Sequence, residues 1–190
     1  MHILLVALQV AFFMPVVGRA LGLRGDSQGI GVAREFLAGF RRPALVVHAL
    51  GVLVLWAGLT AALAGGRVEE VVTVQGVLGA ALILGGALLM TWSVVVFRSW
   101  RLLPTIGAKH ELCTSGPFRF VRHPIYLSLD LLGVGSALWV GSPVMILGAG
   151  LIVLGGDWRA RIEEKALLEA FGDRYRSYMR QTRRTVPYLY

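Results

Sequence analysis

Cysteine occurs once, at Cys113, so the chain cannot close a disulfide within itself. Charge is scarce: Asp, Glu, Lys and Arg make up 16% of the 190 residues, against about 25% in soluble domains. A chain this poor in charge is not built to keep most of its surface in water. The four histidines fall at no spacing that suits metal ligands, so no metal is expected. Acid is scarcer than base, with 11 Asp and Glu against 19 Lys and Arg, for a net charge of +8. A basic excess can serve nucleic acid or an anionic membrane surface. Most of the chain is too apolar to present a solvated basic face. Membrane lipids are therefore the expected partner, and nucleic acid is not.

What is present is apolar: 56% of residues, with a mean hydropathy of +0.67. Apolar runs near the ~20 residues of a bilayer-spanning helix recur along the chain. Five segments stand out, at about residues 3–17, 43–64, 71–97, 125–140 and 143–156. The expectation is an all-α, polytopic membrane protein of about five transmembrane helices with a C-terminal cytosolic amphipathic helix. The first segment carries Pro15, which predicts a kink or a tilt. It lacks a basic stretch before its apolar run, and Arg19 and Arg24 follow that run, so it reads as a span rather than a cleaved secretory signal. The last two segments are short and separated only by Gly141 and Ser142, which predicts a tight helical hairpin, with a re-entrant pair as the alternative.

The loops alternate in charge. Arg19, Arg24, Arg34, Arg41 and Arg42 follow the first segment, and Arg98, Arg101, Lys109, Arg119 and Arg122 follow the third. Residues 65–70 and 141–142 are poor in positive charge, and residues 158–190 are rich in it. The positive-inside rule then places the N-terminus outside and the C-terminus in the cytosol. Glycines within the spans, among them Gly76, Gly79, Gly85, Gly86, Gly133, Gly135, Gly148 and Gly150, read as close-packing positions. No strand precedes either Gly-x-Gly string, so a dinucleotide loop is excluded. Trp92, Trp100, Trp139 and Trp158 read as interfacial anchors. His48 reads as a hydrogen-bonded packing residue, and Cys113 as a spectator.

From Asp157 the chain reads DWRARIEEKALLEAFGDRYRSYMRQT. Leu167, Leu168, Phe171, Tyr175 and Tyr178 recur at spacings of three and four, predicting an amphipathic helix that Gly172 would interrupt. Two polar clusters sit where the chain leaves the membrane: residues 109–126, KHELCTSGPFRFVRHPIY, and residues 159–164, RARIEE. The hairpin between them folds back, so both lie at one membrane face. Pro124 biases His123 away from helix, putting it at a break before the fourth span. Arg159 and Glu163 share a helix face. Taken singly, these segments read equally as an interfacial anchor and a surface ion pair.

Together they carry more. Gly116-Pro117-Phe118, then Arg122-His123-Pro124 with Tyr126, are followed after the hairpin by Glu163-Glu164, Leu167, Phe171-Gly172, Tyr175 and Tyr178, and then Arg184 and Pro187. Over about residues 92–190 this resembles the isoprenylcysteine carboxyl methyltransferase family and its relatives, which include phospholipid methyltransferases. The resemblance implies an S-adenosyl-L-methionine-dependent methyltransferase with a cytosol-facing cofactor pocket. It implies cofactor contacts from His110, Leu112, Phe118, Arg122, His123, Tyr126, Glu163 and Glu164, with Arg159 and Glu163 nearest the chemistry. The family commonly has tyrosine where Phe118 stands. Asp130 is outside the pattern; it is a candidate substrate contact, or a partner for an arginine such as Arg122.

The chain is thus expected to be a single membrane domain, residues 1–190, with 1–97 a substrate-side scaffold and 98–190 the cofactor-binding core. The expected acceptor is a lipophilic small molecule or lipid, a carboxylate among the options. A carboxylate is already ionised near neutral pH and needs only orientation by Arg159. An amine or hydroxyl would need a base, with Glu163 or His123 as candidates. The alternatives are a membrane reductase of the sterol-reductase type using NADPH, and a small non-enzymatic membrane protein.

Overall fold

A computed structural model describes residues 2–20, 43–66, 73–97 and 112–186. Its architecture is all-α, as expected: α1 (His2–Ala20), α2 (Pro43–Ala64), α3 (Val74–Val96), a 3-10 turn (Gly116–Arg119), α4 (Pro124–Val140) and α5 (Pro143–Gln181). The helix starts follow from local chemistry. Pro43, Pro124 and Pro143 each open a helix, where a missing N–H costs nothing and the fixed φ is already helical. Thr73 caps α3, its hydroxyl accepting from Gly76 N at 3.0 Å. Gly141 closes α4 in the left-handed region at φ 66°, and the chain turns directly into α5.

Among the described residues, α2, α3 and α5 are long and apolar enough to cross a bilayer, while α1 and α4 are shorter apolar helices. Seventeen residues of α4 extend about 26 Å at 1.5 Å per residue, a little under the ~30 Å hydrocarbon core. The fifth apolar segment does not stop at Gly156. It runs unbroken into the polar helix after it, so the membrane span and the site-bearing segment are one rod, α5. That rod breaks where the glycine predicted it: Gly172 has φ 52° and ψ −125°, outside any helical region.

Packing is pairwise. α2 lies along α5, α3 along α4, and α4 and α5 form the hairpin, with α1 against α3. A buried side-chain bond from Gln9 Nε2 to Ser136 Oγ, 2.6 Å, ties α1 to α4. Many large apolar side chains point outward, including Leu53, Leu88, Ile146 and Leu154. So much exposed aliphatic surface suits lipid rather than water.

Two expectations about single residues are corrected. Trp139 is fully buried in the core, its Cβ against Gly79, and is no interfacial anchor. Trp92 and Trp158 are well exposed, and Trp100 lies outside the described residues. Gly85 and Gly150 face open space rather than a packed neighbour. Gly79 and Gly135, in contrast, bring α3 and α4 into backbone contact. A Cβ on Gly79 would stand 2.6 Å from Gly135 O, and one on Gly135 would stand 2.7 Å from Gly79 O. Gly135→Leu is therefore expected to cost about 1–3 kcal/mol or more through overpacking. Gly150→Leu should leave detergent melting temperature unchanged, which makes it the matched control.

Candidate active site

The site forms where α4 begins and where α5 leaves the apolar layer. Because Pro124 excludes helix at the residue before it, His123 sits at φ −125° and ψ 61° as the residue preceding α4, with no side-chain capping bond. Its imidazole is free to face α5. There Glu163 and Glu164 project from consecutive positions: Nδ1 of His123 is 3.5 Å from Glu163 Oε2, and Nε2 is 3.6 Å from Glu164 Oε1. Arg122 donates from Nε to Glu164 Oε1 at 2.8 Å. Tyr126, in the first turn of α4, donates its hydroxyl to Glu163 Oε1. Its ring stacks on His123 at 5.6 Å between centroids. The Arg159 guanidinium lies over that ring, 5.1 Å from its centroid.

A segment that sequence reading did not foresee holds this arrangement. After α5 the chain returns alongside residues 121–123. Val121 and Arg183 form a parallel bridge, and the amides of Arg122 and His123 donate to Arg183 O and Arg184 O at 2.7 and 2.9 Å. Arg122 also donates to the carbonyls of Met179, at 3.3 Å, and Thr182. Arg184 reaches Glu164 Oε2 at 2.8 and 3.1 Å and Asp157 Oδ1 at 3.4 Å. The C-terminal part of α5 therefore does not simply lie on a lipid surface. Tyr175 and Tyr178 are buried, and Tyr178 donates to Phe118 O.

The electrostatics favour full ionisation. Burial opposes charge on Glu164, but hydrogen bonds involving His123, Arg184 and Arg122 outweigh it and hold this carboxyl far below the usual carboxylate range. Glu163 is likewise lowered: burial opposes ionisation, and His123 with Arg159 outweighs it. His123 moves the other way. Burial alone would discharge it, yet the two carboxylates raise its pKa above the ordinary 6.5.

These shifts fix the sign of the pH dependence. The stabilisation held by Glu164 is fully present above its unfolded value of 4.5 and is lost as pH falls below that toward its folded value. The share from His123 is complete below 6.5 and fades as pH rises through the raised folded value. Melting temperature in detergent should peak between these limits, and His123→Gln should remove the decline on the alkaline side.

Of the residues that the resemblance implicates, the structure brings together Arg122, His123, Tyr126, Arg159, Glu163 and Glu164. Phe118 is buried with its ring against Phe97 at 5.3 Å. Leu112 is half-buried in the irregular stretch before the 3-10 turn. His110 lies outside the described residues. Asp130 does not pair with Arg122, whose bonds go to Glu164 and two carbonyls, and its Oδ1 is buried without a partner. His48 is buried as expected but is not hydrogen-bonded: neither ring nitrogen has a partner. Asp157 and Arg184 joined the site unannounced, although Arg184 was visible within the motif. No group of three or more His, Cys, Asp and Glu able to hold a metal occurs among the described residues.

Comparison with known proteins bears on the same stretch. Residues 74–174, just over half the chain, match the family model described as phospholipid methyltransferase. A methanethiol S-methyltransferase of Mycobacterium tuberculosis is 34% identical over 99 residues, covering 49% of this chain and 36% of that protein. Protein-S-isoprenylcysteine O-methyltransferase B of Arabidopsis thaliana is 30% identical over 115 residues, 57% of this chain and 56% of the relative. The corresponding O-methyltransferase of Xenopus laevis is 29% identical over 85 residues, 42% and 28% respectively. The chain thus spans between about a quarter and just over half the length of these relatives. The matched region runs from α3 through the hairpin to the Glu163-Glu164 helix, which together carry Arg122, His123, Tyr126, Arg159, Glu163 and Glu164, and the chain belongs to the phospholipid methyltransferase family.

Proposed function

We propose that this protein is an integral membrane methyltransferase that uses S-adenosyl-L-methionine and acts on a lipophilic acceptor arriving from the bilayer. One observation carries the reading. Two polar segments some 40 residues apart, Arg122-His123-Pro124-x-Tyr126 and Arg159-x-x-x-Glu163-Glu164, are joined at one membrane face by ion pairs of 2.8 to 3.6 Å, within the stretch that the family model matches.

The residues fit the cofactor's chemistry. It carries a carboxylate, an ammonium and a sulfonium, and the cluster offers guanidinium and carboxylate groups side by side. The Tyr175 hydroxyl is buried there with no hydrogen-bond partner, which suits a polar ligand. Bound there, the cofactor would supply an electrophilic methyl group on a cationic sulfur. Glu163, with 18% of its side chain exposed against 7% for Glu164, is the carboxylate that faces ligand. Glu164, enclosed by Arg122 and Arg184, is a positioning residue. Arg159, on the apolar side of Glu163 by one helical turn, orients the acceptor and stabilises negative charge on it. A nucleophile and a methyl carbon need little more than alignment at attack distance. By the loop charges, this face is cytosolic and the N-terminus lies outside.

Calorimetry on the detergent-solubilised protein tests the reading. S-adenosylhomocysteine should bind, and Glu163→Gln and His123→Asn should each weaken it about tenfold or more, the cost of one charge-assisted hydrogen bond. Binding of NADPH with no response to either adenosyl ligand would favour the reductase alternative and overturn the proposal.

A further inference from the structure

A second polar group lies deeper, on the apolar side of Tyr126. His48, on α2, is buried with 3% of its surface exposed, and neither Nδ1 nor Nε2 is hydrogen-bonded. Asp130, on α4 one turn beyond Tyr126, has its Oδ1 buried and unpartnered. Orphaned polar atoms inside an apolar bundle are costly, and two from different helices facing one point are a reason to look for a ligand.

That point is beside Gly156 on α5. A methyl group placed on Gly156 would stand 3.6 Å from Asp130 Oδ1, 3.8 Å from His48 Cε1 and 3.8 Å from Tyr126 Cβ. These are ordinary contact distances, so there is room for a group about one carbon in size, bordered by an imidazole and a carboxylate. The helices are shaped to bring His48 there. A Cβ on Gly155 would stand 2.6 Å from the His48 backbone, so only glycine lets α2 approach α5 this closely. Tyr126 joins the two levels. The His48 ring meets it edge-on at 5.8 Å, Arg159 lies over it at 5.1 Å, and its hydroxyl goes to Glu163.

We infer that His48 and Asp130 form the acceptor subsite, and that the acceptor is a neutral protic nucleophile (a thiol, phenol or alcohol) on an apolar tail, with His48 receiving its proton. This rests on the methyltransferase reading of the neighbouring cluster. Three arguments select the class. A neutral imidazole offers one acceptor and one donor, which matches an S–H or O–H group. An ionised carboxylate needs no proton acceptor. The position within the apolar layer suits a tail that enters between helices.

The step balances without a further reagent. The X–H bond breaks and its proton goes to a His48 ring nitrogen. X bonds the methyl carbon, and the carbon–sulfur bond of the sulfonium donor breaks with its electron pair remaining on sulfur as a neutral thioether. Asp130 compensates the imidazolium, which returns its proton to water after product leaves.

The test uses the full chain in detergent with 4-octylbenzenethiol, whose thiolate absorbs in the ultraviolet. At a pH where the free thiol is protonated, adding it to cofactor-free protein should produce the thiolate band, and His48→Asn and Asp130→Asn should each abolish it. With S-adenosylmethionine, wild-type protein should methylate this thiol in preference to decanoate. His48→Asn should slow that reaction about 100-fold or more, the usual worth of a general base. S-adenosylhomocysteine affinity should stay within about twofold in both variants, which also reports that they fold. An undiminished thiolate band in both variants, or methylation of decanoate alone, would overturn the inference. Failure of wild-type protein to bind S-adenosylhomocysteine would instead sink the reading on which it rests.

Discussion

Glu164→Ala is expected to lower stability by about 3–5 kcal/mol, the cost of removing one member of a buried charge set. The magnitude follows from what is left behind. Glu164 receives Arg122 at 2.8 Å, Arg184 at 2.8 Å and His123 at 3.6 Å. The Arg122 side chain is only 9% exposed. Without the carboxylate, a guanidinium and a protonated imidazole face each other with a single acid, Glu163, to compensate them. Arg184 also keeps the strap of residues 182–186 against residues 121–123, so its release frees the start of α4. Glu164→Gln retains hydrogen-bond acceptance and should cost appreciably less. Glu169→Ala, on the exposed side of the same helix, should fall within about 0.5 kcal/mol of wild type. Thermal melting in detergent distinguishes the three. If Glu164→Ala matched Glu169→Ala, Glu164 would not be the keystone that its partners imply.

Much of this cluster was legible because its determinants are local. Pro124 and Pro143 announce helix starts, Gly141 announces a stop, and together they fix a hairpin that returns the chain to the membrane face it left. Any hairpin of that length must bring Arg122-His123 near Arg159 and Glu163-Glu164. Gly172 likewise announces the break in α5. What escaped the sequence depends on distant partners. The pairing of Val121 with Arg183 has no periodic signal, since a single bridge between two irregular segments resembles any loop. Trp139 was misread because proximity to a span end says nothing of which face a residue occupies. The α3–α4 contact through Gly79 and Gly135 buries it. His48 looked like packing for a similar reason: one histidine in an apolar run carries no sign of whether its nitrogens find partners. That is decided by α4 and α5, about 80 and 110 residues later.

Arg159→Ala should reduce turnover about 100- to 1,000-fold, the range for removing one group that stabilises transition-state charge. S-adenosylhomocysteine affinity should stay within a few-fold. The split follows from geometry. In the proposed reading, Glu163, which lies one helical turn further from the membrane, and His123 hold the cofactor. The Arg159 guanidinium instead rests on the Tyr126 ring at 5.1 Å, the ring that His48 meets edge-on at 5.8 Å. A cation there has no partner on the neutral thioether of S-adenosylhomocysteine and would only repel the donor's sulfonium. It does much for an acceptor atom that becomes anionic as its proton leaves. Arg159→Lys should not rescue, because an ammonium neither lies flat on the tyrosine ring nor presents paired donors. Single-turnover measurements with labelled donor, alongside calorimetry, separate the two effects. Loss of affinity with turnover preserved at saturating donor would move Arg159 to the cofactor side of the site. Preserved turnover and preserved affinity would remove it from the chemistry, leaving His48 and Asp130 to bind and activate the acceptor without a cationic partner.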